Sequence, residues 1–529
     1  MFFAGTLITG SLLAGGLVTN TNQSASWVRL PSRNASTEID AVYYNPAGLM
    51  KLENGFHFSL SNQTIFQTRE ITSDYIYLNN GVYKGTVKAP LFPSVYAAYK
   101  LNKLAISLGF NPIGGGGGAT YEDGLPSFEM SQADLVPALA AAPYSATDYA
   151  LDVYFKGSSI FFGLQGGLSY KINDMLSIAA GVRYVTAKNT YEGYLRDVQV
   201  KIASGWTDAT TIMTGIAAGA TTAATSTTAL VTGGAGSLTL AQAEGMGIIT
   251  AGQRAQLEAG LTSFGSPTTV TIATADAVFK GAAAKYTATS TLLADQEADV
   301  TQTGSGICPV FSVNLSPIEN LNIAIKYEMA TKLELTNETK KDLLIGYTAT
   351  GTPITQFPNG EVFRNDMPAM LSVGAEFNLS KIKLAAGGNY YFDKSADYGH
   401  KIDDDLNSST PTAHIDNSEI IDNNGMSLHG GIEYKVSDNW LVSAGYAFAN
   451  KGVNSLYQSD LTFANGTHTF GFGGAFTLNT LRINLGGSYT MYLEDEKTVN
   501  HFLGTVNMLP KESYSKSTFV MGVGVEFSF

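Results

Sequence analysis

Very few residues of this sequence have the types and spacing that catalysis requires. A hydrolase would need a serine beside a histidine, with a third group that orients the histidine. His57, His429 and His468 fall on segments with strand periodicity, but no nucleophile motif accompanies them. A single histidine on a strand is more often a packed or solvated side chain than a catalytic base. The sequence therefore predicts no catalytic residue, and we expect that the protein is not an enzyme.

Capture of a metal ion or haem is the second chemistry to consider. His400 and His414 lie in one polar loop and could hold haem, but two loop histidines without further ligands are more often plain polar residues. Cys308 is the only cysteine, so no internal disulfide can form and no thiolate metal site is available. We predict no cofactor and no metal site.

Composition and charge limit the class of protein. The 529 residues include 27 Tyr, 27 Phe and 56 Gly and carry a formal net charge of −13. This charge argues against nucleic-acid binding, which needs a basic face. No internal run of about 18 apolar residues could span a bilayer as a helix. Two classes remain: a soluble β protein, or a membrane β-barrel whose apolar residues are spread over alternating positions.

The last residues of the chain favour the membrane barrel. Apolar residues alternate there with small or polar ones, as expected for a strand between lipid and a wet lumen. The apolar positions are Phe519, Met521, Val523, Val525, Phe527 and Phe529. A terminal aromatic residue on such a strand resembles the C-terminal signal of bacterial outer-membrane proteins. We therefore expect the barrel-assembly machinery to recognise Phe529.

The same alternation recurs along the chain and predicts fourteen strands. They are 54–66, 91–102, 103–113, 157–172, 174–190, 306–316, 319–336, 367–379, 381–392, 425–436, 438–449, 467–478, 480–492 and 517–529. Short turns rich in Asn, Asp, Ser and Pro follow every second strand, and the other connections are long and polar. Short periplasmic turns and long outer loops are typical of outer-membrane barrels. The predicted fold is all-β, a closed transmembrane antiparallel barrel of about fourteen strands.

Three segments lie outside this barrel pattern. Residues 1–14 have the apolar core of a signal peptide, without a basic start, and we expect cleavage near Ala14. Residues 15–53 are too polar for a lipid-facing strand. Residues 191–305 form a long insert rich in Ala, Thr and Gly, with helical spacing over 238–261. This insert could be a flexible surface loop or a partly helical extracellular cap, since long loops without structure are uncommon. The barrel proper is assigned to residues 54–529.

The segment before the first strand resembles a known family. Residues 39–49 read IDAVYYNPAGL, with Asn45, Pro46 and Ala47 at their centre. They are similar to the signature of the FadL-type family, outer-membrane transporters of long-chain fatty acids and other hydrophobic compounds. A polar segment before the barrel, fourteen strands, and a third strand that runs into glycines coincide with the motif. Together the resemblance spans nearly the whole mature chain.

The resemblance implies a function and a route. Members of the family plug the barrel with an N-terminal hatch, which here would be residues 15–53. Ligand is captured between outer loops, passes the rearranging hatch, and leaves sideways into the membrane at a kinked third strand, without an energy source. We therefore expect passive transport of hydrophobic small molecules, long-chain fatty acids or similar, by a monomer surrounded by outer-membrane lipid. A surface adhesin, or an outer-membrane receptor for haem or another ligand, is the alternative.

The residues after the third strand support a lateral opening independently. Pro112 cannot donate a hydrogen bond to a neighbouring strand, and five consecutive glycines disfavour regular pairing. These glycines are Gly114, Gly115, Gly116, Gly117 and Gly118. We expect strand pairing to fail there and to open the wall. An ordinary glycine-rich outer loop is the alternative interpretation.

Charged residues at alternating positions are assigned to the lumen, because charge on the lipid face is costly. They include Arg183, Lys326, Glu328, Glu376, Lys383, His429, Glu433, Lys435, Arg482 and Glu526. Most of them should pair with one another and hold the hatch. A basic residue on the fifth strand is implied by the family, but our alignment places Thr186 there. We name Arg183, Lys188 and Lys326 as candidate ligand-binding residues, while neutral ligands stay possible.

Overall fold

The computed structural model of the protein describes residues 17, 19–348, 351–399, 401–402, 413–414 and 417–529. The predicted signal peptide, residues 1–14, lies outside the described residues, and so does His400. The side chain of His414 is not described either. The expectations for these residues therefore stay predictions.

Fourteen antiparallel strands form one closed barrel, which confirms the predicted fold class. Each strand pairs with its neighbours in sequence, and the first strand pairs with the last from His57 with Ser528 to Ser73 with Glu512. The strands are β1 Gly55–Ser73, β2 Val82–Leu101, β3 Leu104–Tyr121, β4 Asp148–Lys171, β5 Leu176–Ile202, β6 Gln296–Ile318, β7 Leu321–Glu328, β8 Met370–Leu379, β9 Ile382–Tyr391, β10 Met426–Lys435, β11 Trp440–Asn450, β12 Thr467–Leu478, β13 Leu481–Tyr492 and β14 Lys511–Ser528.

Strand alternation sorts the side chains into an apolar exterior and a small or polar interior. Large apolar residues such as Leu108, Phe472 and Leu485 are more than half exposed on the outer face. Ser59 and Ser61 of β1 are buried on the inner face. This pattern is the one expected for a barrel that meets lipid outside.

The strand ends differ from the predicted ones mainly at the long-loop end. β1 continues to Ser73 and β5 to Ile202, well beyond the predicted ends at 66 and 190. Both faces of a strand meet water above the lipid, so the apolar alternation that located the strands stops before the strand does. At the other end, Asn102, Ser380 and Asn479 take positive φ values in the predicted short turns, as suits residues that tolerate the left-handed region.

β7 is shorter than predicted, because the chain leaves the wall after Glu328. The wall is continued by the strand Glu334–Lys341, which pairs with β6 and with Val362–Arg364. The remaining short strands are Gly205–Asp208, Leu344–Tyr347, Pro353–Thr355, Lys401–Ile402, Ala413–His414, Asp495–Thr498, Phe502–Leu503 and Val506–Asn507.

Helices occur before the barrel and in its long connections. The α-helices are α1 Ala25–Arg29, α2 Ala41–Tyr44, α3 Pro126–Ala133, α4 Leu135–Ala138, α5 Ala209–Leu230, α6 Leu240–Gly245, α7 Ala251–Ser263, α8 Ile272–Leu292 and α9 Asn417–Ile420. Tighter 3-10 turns cover Pro46–Lys51 and Asp393–Ser395, and a wider π turn covers Val231–Ala235. None of the described helices is both long enough and apolar enough to cross a membrane.

The long insert is helical rather than a flexible loop. Helices α5 to α8 lie between β5 and β6, so the part outside these strands is residues 203–295 instead of the predicted 191–305. They share a core of their own that includes Leu240, Leu261 and Phe279. Thr239 and Thr250 cap α6 and α7, each in a reciprocal arrangement with a glutamine three residues later.

Candidate functional site

The segment before β1, residues 19–53, lies within the barrel, and we call it the hatch segment. Nearly all of its residues from 23 to 50 are buried. The Ser24 side chain accepts a hydrogen bond from the Trp27 N–H and so begins α1. Because α1 and α2 have only five and four residues, their stability must come from packing against the wall.

Glycines on the inner face of β8 to β14 make room for residues 25–34 of the hatch segment. A Cβ atom at Gly471 would lie 2.6 Å from the Val28 carbonyl oxygen, and one at Gly431 would lie 2.3 Å from a Leu30 methyl carbon. Similar close approaches occur at Gly374, Gly387, Gly445, Gly473, Gly486, Gly522 and Gly524. This side of the wall therefore follows the backbone of the hatch segment without space for a side chain.

Ion pairs hold the hatch segment at the short-turn end of the lumen. Arg29 Nη1 lies 2.6 Å from Glu433 Oε2, and Glu38 Oε1 accepts from Arg482 Nη1 at 2.9 Å. Arg33 pairs with Asp40 at 2.8 Å. These groups are largely shielded from solvent. Lumen charges thus contact the hatch segment as expected, and their part in holding it during transport stays a prediction.

The motif Asn45-Pro46-Ala47 anchors the end of the hatch segment to the wall between β4 and β6. The Asn45 side chain donates to Asn314 Oδ1 at 2.7 Å, and the Ala47 N–H donates to Ser312 Oγ at 2.8 Å. Ser169 and Ser177 donate to the carbonyl oxygens of Pro46 and Ala47. The 3-10 turn Pro46–Lys51 then leads to β1. The part that the motif plays in transport stays a prediction.

Two of the predicted ligand-binding residues are engaged by the hatch segment. Arg183 Nη1 and Lys326 Nζ each lie 2.6 Å from an oxygen of Glu328. Lys326 also donates to the Tyr43 carbonyl oxygen at 2.9 Å. Both cations lie over the Tyr43 ring, at 4.9 Å and 4.5 Å from its centroid. Arg183 also donates to Gln165 Oε1 at 3.0 and 2.6 Å, so the hydrogen bonds of the two cations go to Glu328, Gln165 and the Tyr43 carbonyl oxygen.

The prediction for Lys188 is wrong in one respect, because this side chain is exposed on the outer face of β5. Strand residues alternate between faces. Arg183, Val185 and Ala187 are buried towards the lumen, so Thr186 and Lys188 must point outwards. Lys188 therefore cannot contribute to a site inside the barrel.

The wall is interrupted between β2 and β3. Pairing runs from Leu101 with Leu104 to Val95 with Phe110, and resumes only at Thr86 with Thr120. Residues 87–94 of β2 and 111–119 of β3 are not paired with each other, and we call this interruption the wall gap. It contains Pro112 and the five glycines from Gly114 to Gly118.

On its other side, β3 keeps its pairing with β4 through this stretch, with irregularities after Pro112 and Gly114. Gly115 has a φ of 99°, and a Cβ there would lie 2.3 Å from the Ser159 carbonyl oxygen. Residues 111–119 are therefore not a loop but part of a strand, which pairs with β4 on one side and does not pair with β2 on the other. Its role as a lateral opening stays a prediction.

The start of the hatch segment occupies the edge of β3 that β2 leaves free. Thr19 forms an isolated antiparallel bridge with Gly114, and the Asn20 N–H donates to the Ile113 carbonyl oxygen at 2.9 Å. The Asn20 side chain donates to the Gly115 carbonyl oxygen at 3.0 Å. Residues 19 and 20 thus take the place of a missing strand partner.

The lumen is apolar towards the long-loop end. A cluster that we call the outer apolar cluster is built mainly of aromatic rings. Phe155 stacks on Tyr191, and Tyr191 stacks on Phe357 with ring centroids 5.1 Å apart. Its other buried members are Ile71, Tyr83, Val87, Ala119, Tyr121, Leu125, Val300, Phe463 and Tyr514. Such a surface offers an apolar ligand contact area and few hydrogen-bond partners.

A second apolar cluster lies deeper and includes a residue of the wall gap. Ile113, Phe161 and Val185 pack there with Tyr43 and other residues of the hatch segment. The ion pairs of Arg183 and Lys326 with Glu328 lie beside this cluster, over the Tyr43 ring, whereas those of Glu433 and Arg482 lie close to the short turns. Apolar surface therefore extends from the long-loop end to the wall gap, where Val87 and Ala119 belong to the outer apolar cluster.

Helices α3 and α4 cover the long-loop end. Glu129 accepts hydrogen bonds from the Tyr83 and Tyr149 hydroxyls at 3.1 and 2.9 Å, and burial raises the pKa of this carboxyl. The Ser127 N–H donates to Asp460, and Asp134 lies 3.0 Å from His501 Nε2. A cavity of about 30 Å³ between these elements has room for a water molecule.

The strand histidines show no catalytic arrangement in the part of the chain that is described. His57 contacts Ser528 and the Glu53 carbonyl oxygen, His429 contacts Ser427, and His468 contacts Tyr446. Within the described residues, no three His, Cys, Asp or Glu side chains come together as a metal site.

No protein-family model and no curated protein sequence matches the chain. Among solved structures, a FadL homologue of Pseudomonas aeruginosa is similar over 97% of this chain and 98% of its own, with a TM-score of 0.58 and 14% identity. The toluene transporters TodX of P. putida and TbuX of Ralstonia pickettii are less similar. Each matches 93% of this chain and 94% of its own at 15% identity, with a TM-score of 0.48. The similarity to the FadL homologue confirms the resemblance at the level of the fold. In this chain, the N-terminal segment lies inside the barrel.

Proposed function

We propose that the protein carries hydrophobic small molecules passively across a bacterial outer membrane and releases them sideways through the wall gap. The observation that carries this proposal is that the outer apolar cluster reaches the wall gap, since its members Val87 and Ala119 lie in the stretches of β2 and β3 that do not pair with each other. A ligand that follows this surface reaches the interrupted wall before it reaches the ion pairs of Glu433 and Arg482 near the short turns. Long-chain fatty acids and similar compounds fit such a path.

The free energy of transfer favours a lateral exit. Burying a CH₂ group away from water is worth about 0.8 kcal/mol, so release of a sixteen-carbon chain into water would cost on the order of 10 kcal/mol. Release into the hydrocarbon interior of a bilayer avoids most of this cost. No energy source is needed, since the ligand moves between two apolar environments.

The direct path along the barrel axis is unfavourable for the same ligand. It would have to pass Arg29, Glu433 and Arg482, whose buried ion pairs would be separated or left without partners. The glycine contacts of residues 25–34 leave no space beside the hatch segment on that side of the lumen. The wall gap is the route with the smallest rearrangement, because among the described residues only Thr19 and Asn20 pair through their backbone with the edge of β3 that β2 leaves free.

Uptake by whole cells tests the proposal. Cells with and without the protein would receive labelled oleate, hexadecane and a small aromatic hydrocarbon, and the initial rate of uptake would be measured. We expect faster uptake of at least one of these compounds with the protein present, insensitive to dissipation of ion gradients. If cells with and without the protein took up each of the three compounds at the same rate, hydrophobic transport would be contradicted.

A further inference from the structure

A row of apolar side chains lies on the outer face of β2 to β5, close to their short turns. Leu101 of β2 pairs with Leu104 of β3, Leu104 pairs with Tyr170 of β4, and Tyr170 pairs with Ile178 of β5. All four side chains are exposed, and we call them the apolar row. Such side chains suit lipid hydrocarbon, and tyrosine is common at its boundary with the head groups. The row therefore places the head groups of surrounding lipid close to these turns.

Lysines are directly next to this row in the chain. Lys100, Lys103 and Lys171 each adjoin one of its members in the sequence. The Lys171 N–H donates to the Lys103 carbonyl oxygen at 2.9 Å, so the turn after β2 contacts the end of β4. Lys51, in the 3-10 turn that ends the hatch segment, donates to the Asp174 carbonyl oxygen at 3.4 Å. Three separate segments thus bring together four lysines, which we call the lysine cluster.

The lysine cluster has more positive charge than its acidic neighbour can balance. Lys171 Nζ lies 2.7 Å from Asp174 Oδ1, and among the described residues Asp174 is the one carboxylate in ion-pair contact with the cluster. The hydrogen bond and charge of Lys171, followed by the charges of Lys51 and Lys103, lower the pKa of the Asp174 carboxyl. Burial and the charge of Lys171 lower the pKa of Lys51. The lysines are therefore electrostatic neighbours, and most of them lack an anion.

The short turns on the other side of the barrel differ in their charge. Lys381 and Lys435 are neighbours there, since the Lys435 N–H donates to the Lys381 carbonyl oxygen at 2.8 Å. The turns on that side also contain Glu319 and Asp438, so positive and negative residues are equal in number. The whole chain has a formal net charge of −13. A positive surface beside β2 to β5 is thus a local feature of a negatively charged protein.

We infer that the lysine cluster binds the phosphate group of an anionic phospholipid in the membrane leaflet next to the short turns. Lysine side chains have long apolar stems, so their ammonium groups reach head groups while the stems stay beside the apolar row. Basic clusters at the membrane surface are a known means of holding anionic lipids. The inference rests on the membrane placement in the proposed function, but not on transport.

The apolar row favours a lipid over a free phosphate ion. The acyl chains of a bound phospholipid would lie along β3 and β4, where the paired residues Ile106 and Leu168 are exposed on the outer face. A free ion would contact only the ammonium groups. A zwitterionic phospholipid has an ammonium group of its own, which the cluster would repel. The lipid that fits best therefore has a net negative charge.

Competition between two phospholipids tests the site. The purified full-length barrel in neutral detergent would receive equal amounts of phosphatidylglycerol and phosphatidylethanolamine, and native mass spectrometry would count the retained molecules. We expect a preference for phosphatidylglycerol. Lys51→Gln/Lys103→Gln should weaken its binding about tenfold or more, since each lysine strengthens binding to anionic lipid about fivefold. Lys381→Gln/Lys435→Gln removes the same charge on the other side and should keep the preference.

A change in Asp174 should act in the opposite direction. Asp174→Asn removes the carboxylate that competes with the lipid phosphate for Lys171, so retention of phosphatidylglycerol should increase. The variant should fold, because exposed ion pairs contribute little to stability. Heat-modifiable migration on gels would check the fold of every variant. If Lys51→Gln/Lys103→Gln does not fold, Lys103→Gln/Lys171→Gln takes its place.

The outcomes separate the site from the proposed function. Equal retention of both phospholipids by the unaltered protein would overturn the site, and so would an equal loss of preference in both double variants. Displacement of phosphatidylglycerol by an equal concentration of inorganic phosphate would overturn the lipid as the occupant. Hydrophobic transport, measured by cell uptake, would stand in all three cases. Absence of uptake together with a preference that depends on the cluster would overturn transport and leave the site.

Discussion

The backbone N–H of Asn20 donates to the carbonyl oxygen of Ile113 at 2.9 Å, across the edge of β3 that β2 does not pair with. One short stretch of the hatch segment thus completes the wall at the position where the strand ladder is interrupted. This contact ties the state of the wall gap to the position of residues 19 and 20.

The first prediction concerns this contact. Asn20→Pro removes the N–H that Ile113 accepts, so the start of the hatch segment should leave the edge of β3 more often. We expect faster uptake of apolar compounds by cells, and a higher conductance of the barrel in planar bilayers. Asn20→Ala keeps the backbone bond and loses only the side-chain bond to Gly115, so its effect should be smaller. Identical behaviour of both variants would mean that the backbone bond does not hold the segment in place.

The second prediction uses two adjacent glycines on β10. A Cβ at Gly431 would lie 2.3 Å from Leu30 in the hatch segment, whereas one at Gly430 would have only the Ala385 carbonyl oxygen at 3.9 Å. Gly431→Val should therefore displace residues 25–34 and raise the conductance in planar bilayers. Gly430→Val should leave the conductance unchanged. Heat-modifiable migration on gels would show that both barrels are folded. A normal conductance of folded Gly431→Val would contradict the prediction that a side chain at this position displaces residues 25–34.

Alternation predicts which face a residue occupies, but not what lies across the lumen. The fourteen strands follow from this alternation because lipid selects apolar residues on one face over most of each strand. The close approach of Gly431 to Leu30 depends on the path of the hatch segment, on which strand periodicity carries no information. Arg183 of β5 was assigned correctly to the lumen, but strand periodicity does not show that its partner is Glu328 of β7, which is 145 residues away in the sequence.

Alternation also fails to identify strand residues near the long loops. Arg69 of β1 and Lys516 of β14, which lie opposite each other where the barrel closes, are outside the predicted strands 54–66 and 517–529, because apolar alternation fades where both faces of a strand meet water. Their direct opposition becomes visible only with the register of β1 and β14. Lys188 was chosen because it is close to Arg183 in the sequence. The two residues are five positions apart on β5 and therefore point to opposite faces of the strand.

The third prediction concerns the ion pair between Arg29 and Glu433. Glu433→Gln leaves the buried guanidinium group without its closest carboxylate, and loss of one partner of a buried pair typically costs about 3–5 kcal/mol. We expect the amides of residues 25–35 to exchange with solvent faster, while the amides of the barrel strands keep their protection. Arg29→Met/Glu433→Leu should recover much of the protection, because no buried charge is then left unpaired. Unchanged exchange in the single variant would show that glycine packing alone holds the hatch segment.

The last prediction concerns a disulfide bond that would hold the wall gap closed. A Cβ at Gly117 would lie 3.3 Å from a methyl carbon of Val87, so cysteines at these positions are close enough for a disulfide between β2 and β3. In a background with Cys308→Ala, oxidised Val87→Cys/Gly117→Cys should still bind oleate but transport it many-fold more slowly, and reduction should restore the rate. Ala97→Cys/Leu108→Cys is the control, because these residues face each other where β2 and β3 are already paired. Uptake that is indifferent to oxidation in a fully crosslinked barrel would rule out exit between these two strands, since no other part of the molecule has been constrained.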